Sequence, residues 1–328
     1  MCSIGGFISN KPLDRDIARH LASALLFYGQ DRGNQSAGAF TIGVNKRLAK
    51  RAASPSNFIQ RTEFGELFTD NVYCALTHTR MPTSGDRGDK QAQPFMQKST
   101  VSVHNGFYFD ISGIKEQWKL RKASGVDSEL ITDFVEEYGV SRLNEFLSTT
   151  DGPSAIAVYH KGHLYLARED NPIHYCRFKV NGTKVLVFGS TYSQVCAAVQ
   201  YTVLWDDPTI TELPANKVFE VTPKRLIKRQ EFKTTDIASS YGANYYTDLN
   251  WGEVDSLRSL AAPAHDGKTS TVHTPYPEGH CIVCGLDKDA SHGSLIIRNA
   301  STWCTDCWKE YGFYDTLEAN ANRSKEEK

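Results

Sequence analysis

No stretch of this 328-residue chain reaches the roughly 18 to 20 consecutive apolar residues of a membrane span; the longest apolar island, Leu21 to Tyr28, falls well short. The opening MCSIGGFISN has neither a basic lead nor a long apolar segment, so it does not read as a secretory signal, and the chain is expected in the cytoplasm with no membrane partner. Excess charge is missing too. Lys and Arg number 37 against 38 Asp and Glu, a net charge of -1, which excludes a whole-chain pull toward nucleic acid or an anionic surface. Between residues 2 and 232 there is no solenoid period and no low-complexity tract. What remains is ordinary globular composition, 40% hydrophobic and 23% charged, over a length that accommodates a large domain with an appendage or two mid-sized domains.

Hydrophobic periodicity predicts an α+β chain rich in antiparallel strands. CSIGGFIS reads as an apolar strand, and Ile17, Leu21, Leu25 and Tyr28 fall at helical spacing behind the acidic Asp14 and Asp16, which suit a helix N-terminus. VYCALTHTR, TVSVHNGFYFDI, SAIAVYHKGHLYLARE and TKVLVFGST read as strands or hairpins, and Ser128 to Tyr138 as a helix. Residues 2–232 therefore form the expected main domain. Residues 233–279, rich in Ser, Thr, Ala, Pro and Gly without periodicity, read as a linker. A small module, 280–317, and a charged tail, 318–328, follow.

Several residues could carry chemistry. Removal of the initiator methionine would leave Cys2 with a free α-amine of reference pKa about 7.7 to 8.0, so one residue would hold both nucleophile and base. A cysteine buried in a strand is the alternative. Arg80, in H-T-R-M-P-T-S-G, could offer a bidentate fork to a carboxylate or stand as a surface arginine. The Asn105-Gly106 pair in V-H-N-G-F is a strong hairpin-turn signal, yet the same amide and backbone N–H could meet a developing oxyanion. Asp127 is either a helix N-cap or a carboxylate facing a substrate ammonium. The loop D-R-G-N-Q-S-A-G, with Arg32 and Gly33, is a turn or a pocket wall.

Taken in order, the starting cysteine, RGxxSAG, HTRxPTxG, Q-A-Q-P-F at 91–95, HNG, D-S-E and the Arg-Glu-Asp at 168–170 resemble the class II glutamine amidotransferases, an N-terminal-nucleophile family, over residues 2 to about 200. The resemblance implies a four-layer αββα sandwich and hydrolysis of the glutamine side-chain amide, with glutamine as substrate and no cofactor needed for that step. It implies that Cys2 attacks, that Asn105 and Gly106 form the oxyanion hole, and that His104 helps to hold that turn. Arg80, with Thr83 beside it, would clamp the substrate α-carboxylate and Asp127 the α-ammonium, while Arg32 and Gly33 border the pocket. Three positions depart from the family pattern: Gln35 where Asp is usual, Met81 where an aromatic often stands, and Ser3 where Gly is commonest. Family members usually append an acceptor domain, and the residues after Phe232 are too few for one. Ammonia is therefore expected to pass to a separate acceptor (synthase) chain. The alternatives are a stand-alone γ-glutamyl amide hydrolase, or an idle scaffold that displays the C-terminal module to a partner.

Eight cysteines in a chain of this kind divide into four scattered ones and two close pairs. Cys281, Cys284, Cys304 and Cys307 make a C-x2-C-x19-C-x2-C pattern, which predicts a zinc ribbon with one structural Zn²⁺ closed by four thiolates. His280 and His292 lie nearby, but the cysteines already complete a tetrahedral set. From Gly279 onward acids outnumber bases, which disfavours nucleic acid as the ribbon's partner.

Overall fold

The computed structural model describes residues 2–81, 88–108, 110–120, 126–150, 152–203, 208–233, 295–298 and 301–304. The chain divides into two compact units, residues 1–235 and 236–328. In the first unit, strand β1 (Ser3–Leu13) leads into helix α1 (Arg15–Gly29), followed by β2 (Ser36–Ile42), β3 (Lys46–Arg51), the short helices α2 (Pro55–Ile59) and α3 (Thr62–Glu66), and β4 (Val72–Arg80). Next come β5 (Phe95–Gln97), β6 (Thr100–Gly106), α4 (Ile111–Trp118), α5 (Glu129–Tyr138) and α6 (Leu143–Leu147). The unit continues with β7 (Ser154–His160), β8 (His163–Arg168), β9 (His174–Val180), β10 (Thr183–Gly189), α7 (Tyr192–Val203), β11 (Thr211–Glu212), β12 (Lys217–Val221) and β13 (Leu226–Glu231). In the second unit the described residues form one antiparallel hairpin, β14 (Leu295–Arg298) with β15 (Ser301–Cys304).

Two antiparallel sheets organise the first unit, in the orders β11-β9-β10-β1-β4-β2-β3 and β13-β12-β8-β7-β6-β5. Between them lies an apolar layer that includes Ile4, Phe40, Leu76, Val103, Ala157, Leu166 and Phe188. Helices α1 and α7 pack on the outside of the first sheet, and α5 and α6 on the outside of the second, where Trp118, Leu130, Phe134 and Phe146 meet Ile156 and Val158. This is the expected α+β sandwich. Burial of an apolar face on each side of both sheets is what a four-layer stack requires.

Local chemistry explains the element ends. Asp14 accepts the backbone N–H of Asp16 at 2.9 Å and so opens α1, while Leu21 and Leu25 are buried on its inner face. Helix α5 buries Leu130, Ile131, Phe134 and Val135 and stops at Gly139, whose φ of +79° suits glycine alone.

Two expectations need correction. The strand read through TVSVHNGFYFDI ends at Gly106, because the carboxylate of Asp127 takes the Tyr108 N–H at 3.0 Å and Asp110 caps the next helix, accepting Gly113 N–H at 2.8 Å. Nor is Asn105-Gly106 a hairpin turn. Both residues lie in β6 and pair with Ala155 and Ser154 of β7. Glycine is needed at 106 for another reason: a Cβ there would stand 2.2 Å from the Pro153 carbonyl and 2.5 Å from the His104 ring. Among the described residues no helix is long and apolar enough to cross a membrane.

Candidate active site

Cys2 stands one residue before β1, whose first pair is Ser3 with Thr79 of β4. Arg80 ends β4 and pairs with Ser36 of β2. The two neighbouring central strands of one sheet therefore end side by side, and bring a thiol and a guanidinium to one edge. Cys2 is half-buried, and its thiol donates to the Met81 carbonyl at 3.8 Å. Burial pushes that thiol above its ordinary pKa; the Met81 contact and the Arg80 charge pull it down, and the Asp127 carboxylate raises it. Both charged groups thus act on the same sulfur. Of the other described thiols, Cys74 and Cys176 are buried, with pKa values pushed up to about 12 and about 11 by that burial. Neither is suited to act as a nucleophile.

The loop between α1 and β2 packs against this edge. Arg32 Nε donates to the Cys2 carbonyl at 3.0 Å. Gly33 lies so close to the chain that a Cβ would come 2.5 Å from the Arg80 carbonyl carbon and 2.6 Å from Met81 N. Gln35 acts here through its backbone, whose N–H donates to Arg80 O at 3.1 Å, a bond any residue in that position can make. Met81, 40% exposed, is among the most exposed of the described large hydrophobic side chains.

The second sheet supplies the opposite wall. His104 and Asn105 are buried at 0% and 1% exposure in β6. Asn105 Nδ2 has no hydrogen-bond partner, although a buried amide left unpaired costs about 1 to 3 kcal/mol. Its backbone carbonyl is held by Asn171 Nδ2 at 2.9 Å. His104 is fixed on three sides: its ring Nδ1 lies 2.9 Å from Ser128 Oγ, the ring stacks on Tyr108 at 4.8 Å between centroids, and its carbonyl lies 3.1 Å from His78 Nε2. That last contact joins β4 to β6 across the two sheets. Burial drives both imidazoles toward the neutral form, His104 to a pKa of about 4 and His78 to about 3.

Asp127 precedes α5 but does not cap it; Ser128 is the N-cap, and its side chain caps nothing. The buried Asp127 carboxylate accepts instead from Tyr108 N–H at 3.0 Å and Ser128 Oγ at 3.4 Å. Sequence reasoning missed the side chain that ties this wall together. Gln93 Oε1 accepts His104 N–H at 2.7 Å, and its Nε2 donates to His104 O at 3.1 Å and Ser128 Oγ at 3.2 Å. The QPF motif was the one available signal for it.

Cys2, Arg80 and the loop residues Arg32 and Gly33 thus come together at the edge of one sheet, and His104, Asn105 and Gly106 lie on the other, with Asp127 beside them next to Ser128. Thr83 lies outside the described residues. So do Cys281, Cys284 and Cys307, the linker beyond Lys233 and the tail; of Cys304 the structure gives its backbone position at the end of β15, paired with Leu295. Among the described residues no cluster of His, Cys, Asp and Glu is arranged to hold a metal.

Compared with known proteins, residues 60–239 match the family described as "Glutamine amidotransferase domain". The 7-cyano-7-deazaguanine synthase of Sulfolobus acidocaldarius is 22% identical over 187 residues, covering 53% of this chain and 40% of that protein. An amidophosphoribosyltransferase of Methanocaldococcus jannaschii is 24% identical over 261 residues, 76% of this chain and 51% of that one. Among solved structures, the glutamine phosphoribosylpyrophosphate amidotransferase from B. subtilis superposes with a TM-score of 0.55 at 15% identity, over 71% of this chain and 50% of that chain, a likeness of fold. The chain spans about half the length, or less, of these relatives.

Proposed function

Because the chain belongs to the glutamine amidotransferase domain family, we propose that it hydrolyses the side-chain amide of glutamine through the thiol of Cys2, in a mature form that begins at that residue. The observation that carries this reading is the buried, unpartnered amide of Asn105, a donor already desolvated and waiting for an acceptor. Cys2 Sγ attacks the glutamine Cδ. Since burial keeps the thiol protonated, its proton must leave during attack, and the α-amine of Cys2 takes it. The developing oxyanion is met by Asn105 Nδ2 and the Gly106 N–H. The amine then returns the proton to the leaving nitrogen, ammonia departs, and a γ-glutamyl thioester remains for water to cleave to glutamate. Arg80 holds the substrate α-carboxylate, with Thr83 beside it, and Asp127 holds the α-ammonium.

The relatives, named a synthase and an amidophosphoribosyltransferase, are about twice as long as the part matched or more, which supports transfer of the ammonia to an acceptor enzyme; we propose that a separate polypeptide supplies that acceptor. The four cysteines of the second unit fit one structural Zn²⁺ by the chemistry of their donor set, four thiolates in two C-x2-C pairs. Metal analysis of purified protein should give one zinc per chain, and Cys281→Ser should lose it; a metal-free wild type would remove the ribbon.

The catalytic reading is tested at its nucleophile. Intact-mass measurement should find Cys2 first, and Cys2→Ala should cut glutamate release by on the order of 10⁴-fold or more with the fold retained. A diazo-ketone analogue of glutamine should add once, at Cys2. Active protein that keeps Met1, or labelling at Cys74, Cys176 or Cys196, would overturn the mechanism.

A further inference from the structure

Cys2 has its own supports, and two of them lead to one side chain distant in sequence. Gln194 lies in α7, 1% exposed, and bonds three separate segments. Its Oε1 accepts Ser3 Oγ at 3.0 Å and the Ser190 N–H at 2.8 Å, and its Nε2 donates to the Leu25 carbonyl in the last turns of α1 at 2.7 Å. Ser190 in turn clasps the same strand, exchanging backbone bonds with Ile4 through its N–H and its Oγ, each 2.9 Å. Room for the Gln194 amide is left by glycines on all three segments. A Cβ on Gly5, Gly29 or Gly189 would stand 3.2, 2.9 or 2.6 Å from it.

The two arms of this amide converge on the nucleophile. Through Ser3, the Oε1 arm fixes the residue bonded directly to Cys2. Through Leu25, the Nε2 arm fixes the end of α1, from which Gln30, Asp31 and Arg32 continue without a break, and Arg32 holds the Cys2 carbonyl. Ser3, the departure from the family's usual glycine, thus has a partner, and with glycine at position 3 the Oε1 arm could not form.

We infer that Gln194 is a positioning residue for the Cys2 thiol, and that Ser3 is the link through which it acts. The inference rests on the reading of Cys2 as nucleophile, but it makes a claim about the thiol that glutamine turnover is not needed to test. Loss of the amide should let Cys2 leave its attack geometry while Arg80 and Asp127, the groups assigned to the substrate α-carboxylate and α-ammonium, stay in place.

The experiment compares full-length wild type, Gln194→Ala, Ser3→Gly and the double variant in three readouts: kcat and KM for glutamine, the rate of Cys2 alkylation by iodoacetamide with Cys74 as buried control, and Tm. Gln194→Ala is expected to lower kcat by up to about 10²-fold with KM within about threefold, since misplacement of a reacting atom acts on the chemical step. Cys2 alkylation should change at least about fivefold while Cys74 stays protected, and Ser3→Gly should move both in the same direction by less. In the Ser3→Gly background the Gln194→Ala effect should shrink, because one arm is already gone. Ordinary structural loss would instead lower Tm and expose Cys74 with it. Unchanged kcat and unchanged Cys2 alkylation in Gln194→Ala would overturn the inference; should that variant fail to fold, the same null result in Ser3→Gly would do so. A wild type that turns over no glutamine, yet shows the altered Cys2 alkylation in Gln194→Ala, would sink the catalytic reading and leave the positioning role standing.

Discussion

On the first sheet, Cys2 and Arg80 stand at the ends of two long, central strands: Arg80 pairs with Ser36, and Cys2 lies one residue beyond the Ser3–Thr79 pair. On the second sheet, His104 and Asn105 are laddered to β7 on one edge only; beyond Phe95 the other edge meets no strand among the described residues, and buried side chains take over there, Gln93, Ser128 and the His78 ring, with Asn171 on the Asn105 carbonyl. A ladder brings its end residues close to their place with few side chains, and the Gln194 and Arg32 contacts set the last part of the Cys2 position. A polar network depends on every side chain in it; each missing member leaves a desolvated partner behind, so the second wall is the more sensitive to substitution.

The sharpest break of this contrast is at Asn105. Asn105→Ala should lower kcat by about 10²- to 10³-fold, or about 2.7 to 4 kcal/mol at the transition state, with KM little changed. Steady-state glutaminase kinetics decide it, and wild-type behaviour would reduce the unpaired amide to a packing accident. Next is Gln93→Leu, which removes the acceptor of the His104 N–H. Its expected cost is about 1 to 3 kcal/mol of stability. Each kcal/mol should appear as about 2 to 4 °C in Tm for a domain of this size. A further effect is graded by pH. His78 and His104 titrate in the folded chain at about 3 and about 4, below the usual value near 6.5 that the unfolded chain keeps. Below pH 6.5 the unfolded state therefore binds protons that the folded state refuses. Stability is full above that pH and falls by about 1.4 kcal/mol per unit for each imidazole as pH drops toward those values. Urea denaturation between pH 7.5 and 4.5 measures the slope, and His104→Gln should remove about one proton from it. An unchanged slope would mean that the second wall is not the acid-labile one.

The same contrast explains what could be read in advance. Strand β1, helix α1, strand β4 and helix α5 have local signatures, an apolar run or a 3.6-residue period between capping residues, and the amidotransferase resemblance rests on motifs at or near their ends. Helix α7 escaped because it is apolar around much of its circumference, so Val195, Ala197, Ala198 and Val199 are all buried and leave no polar face to mark a period. Helix α4 escaped because Phe107 and Tyr108 extend the strand pattern of β6, and only the distant Asp127 turns the chain away. In the sequence Asn171 carries no signal of a role, Gln93 only its place in a motif, and Gln194 again none. Their partners lie 66, 11 and 191 positions away, and no spacing along the chain encodes such a meeting. The second unit remains a matter of its cysteine spacing.

The Gln93 side chain also bears on how water is kept from the end of this strand. The ladder between β5 and β6 stops at Phe95 opposite Ser102. Two residues further along the same register Gln93 faces His104, and there the primary amide supplies one acceptor and one donor to the strand edge, as a peptide group would. His104 is 0% exposed and Gln93 2%, so the edge they share is sealed and neither water nor a foreign strand reaches it. Pro94 lacks the N–H to continue a ladder, and the side chain beside it acts as a plug. In Gln93→Leu the His104 N–H would therefore be expected to exchange with deuterium faster than in wild type, while the edge of β6 that faces β7 keeps its protection.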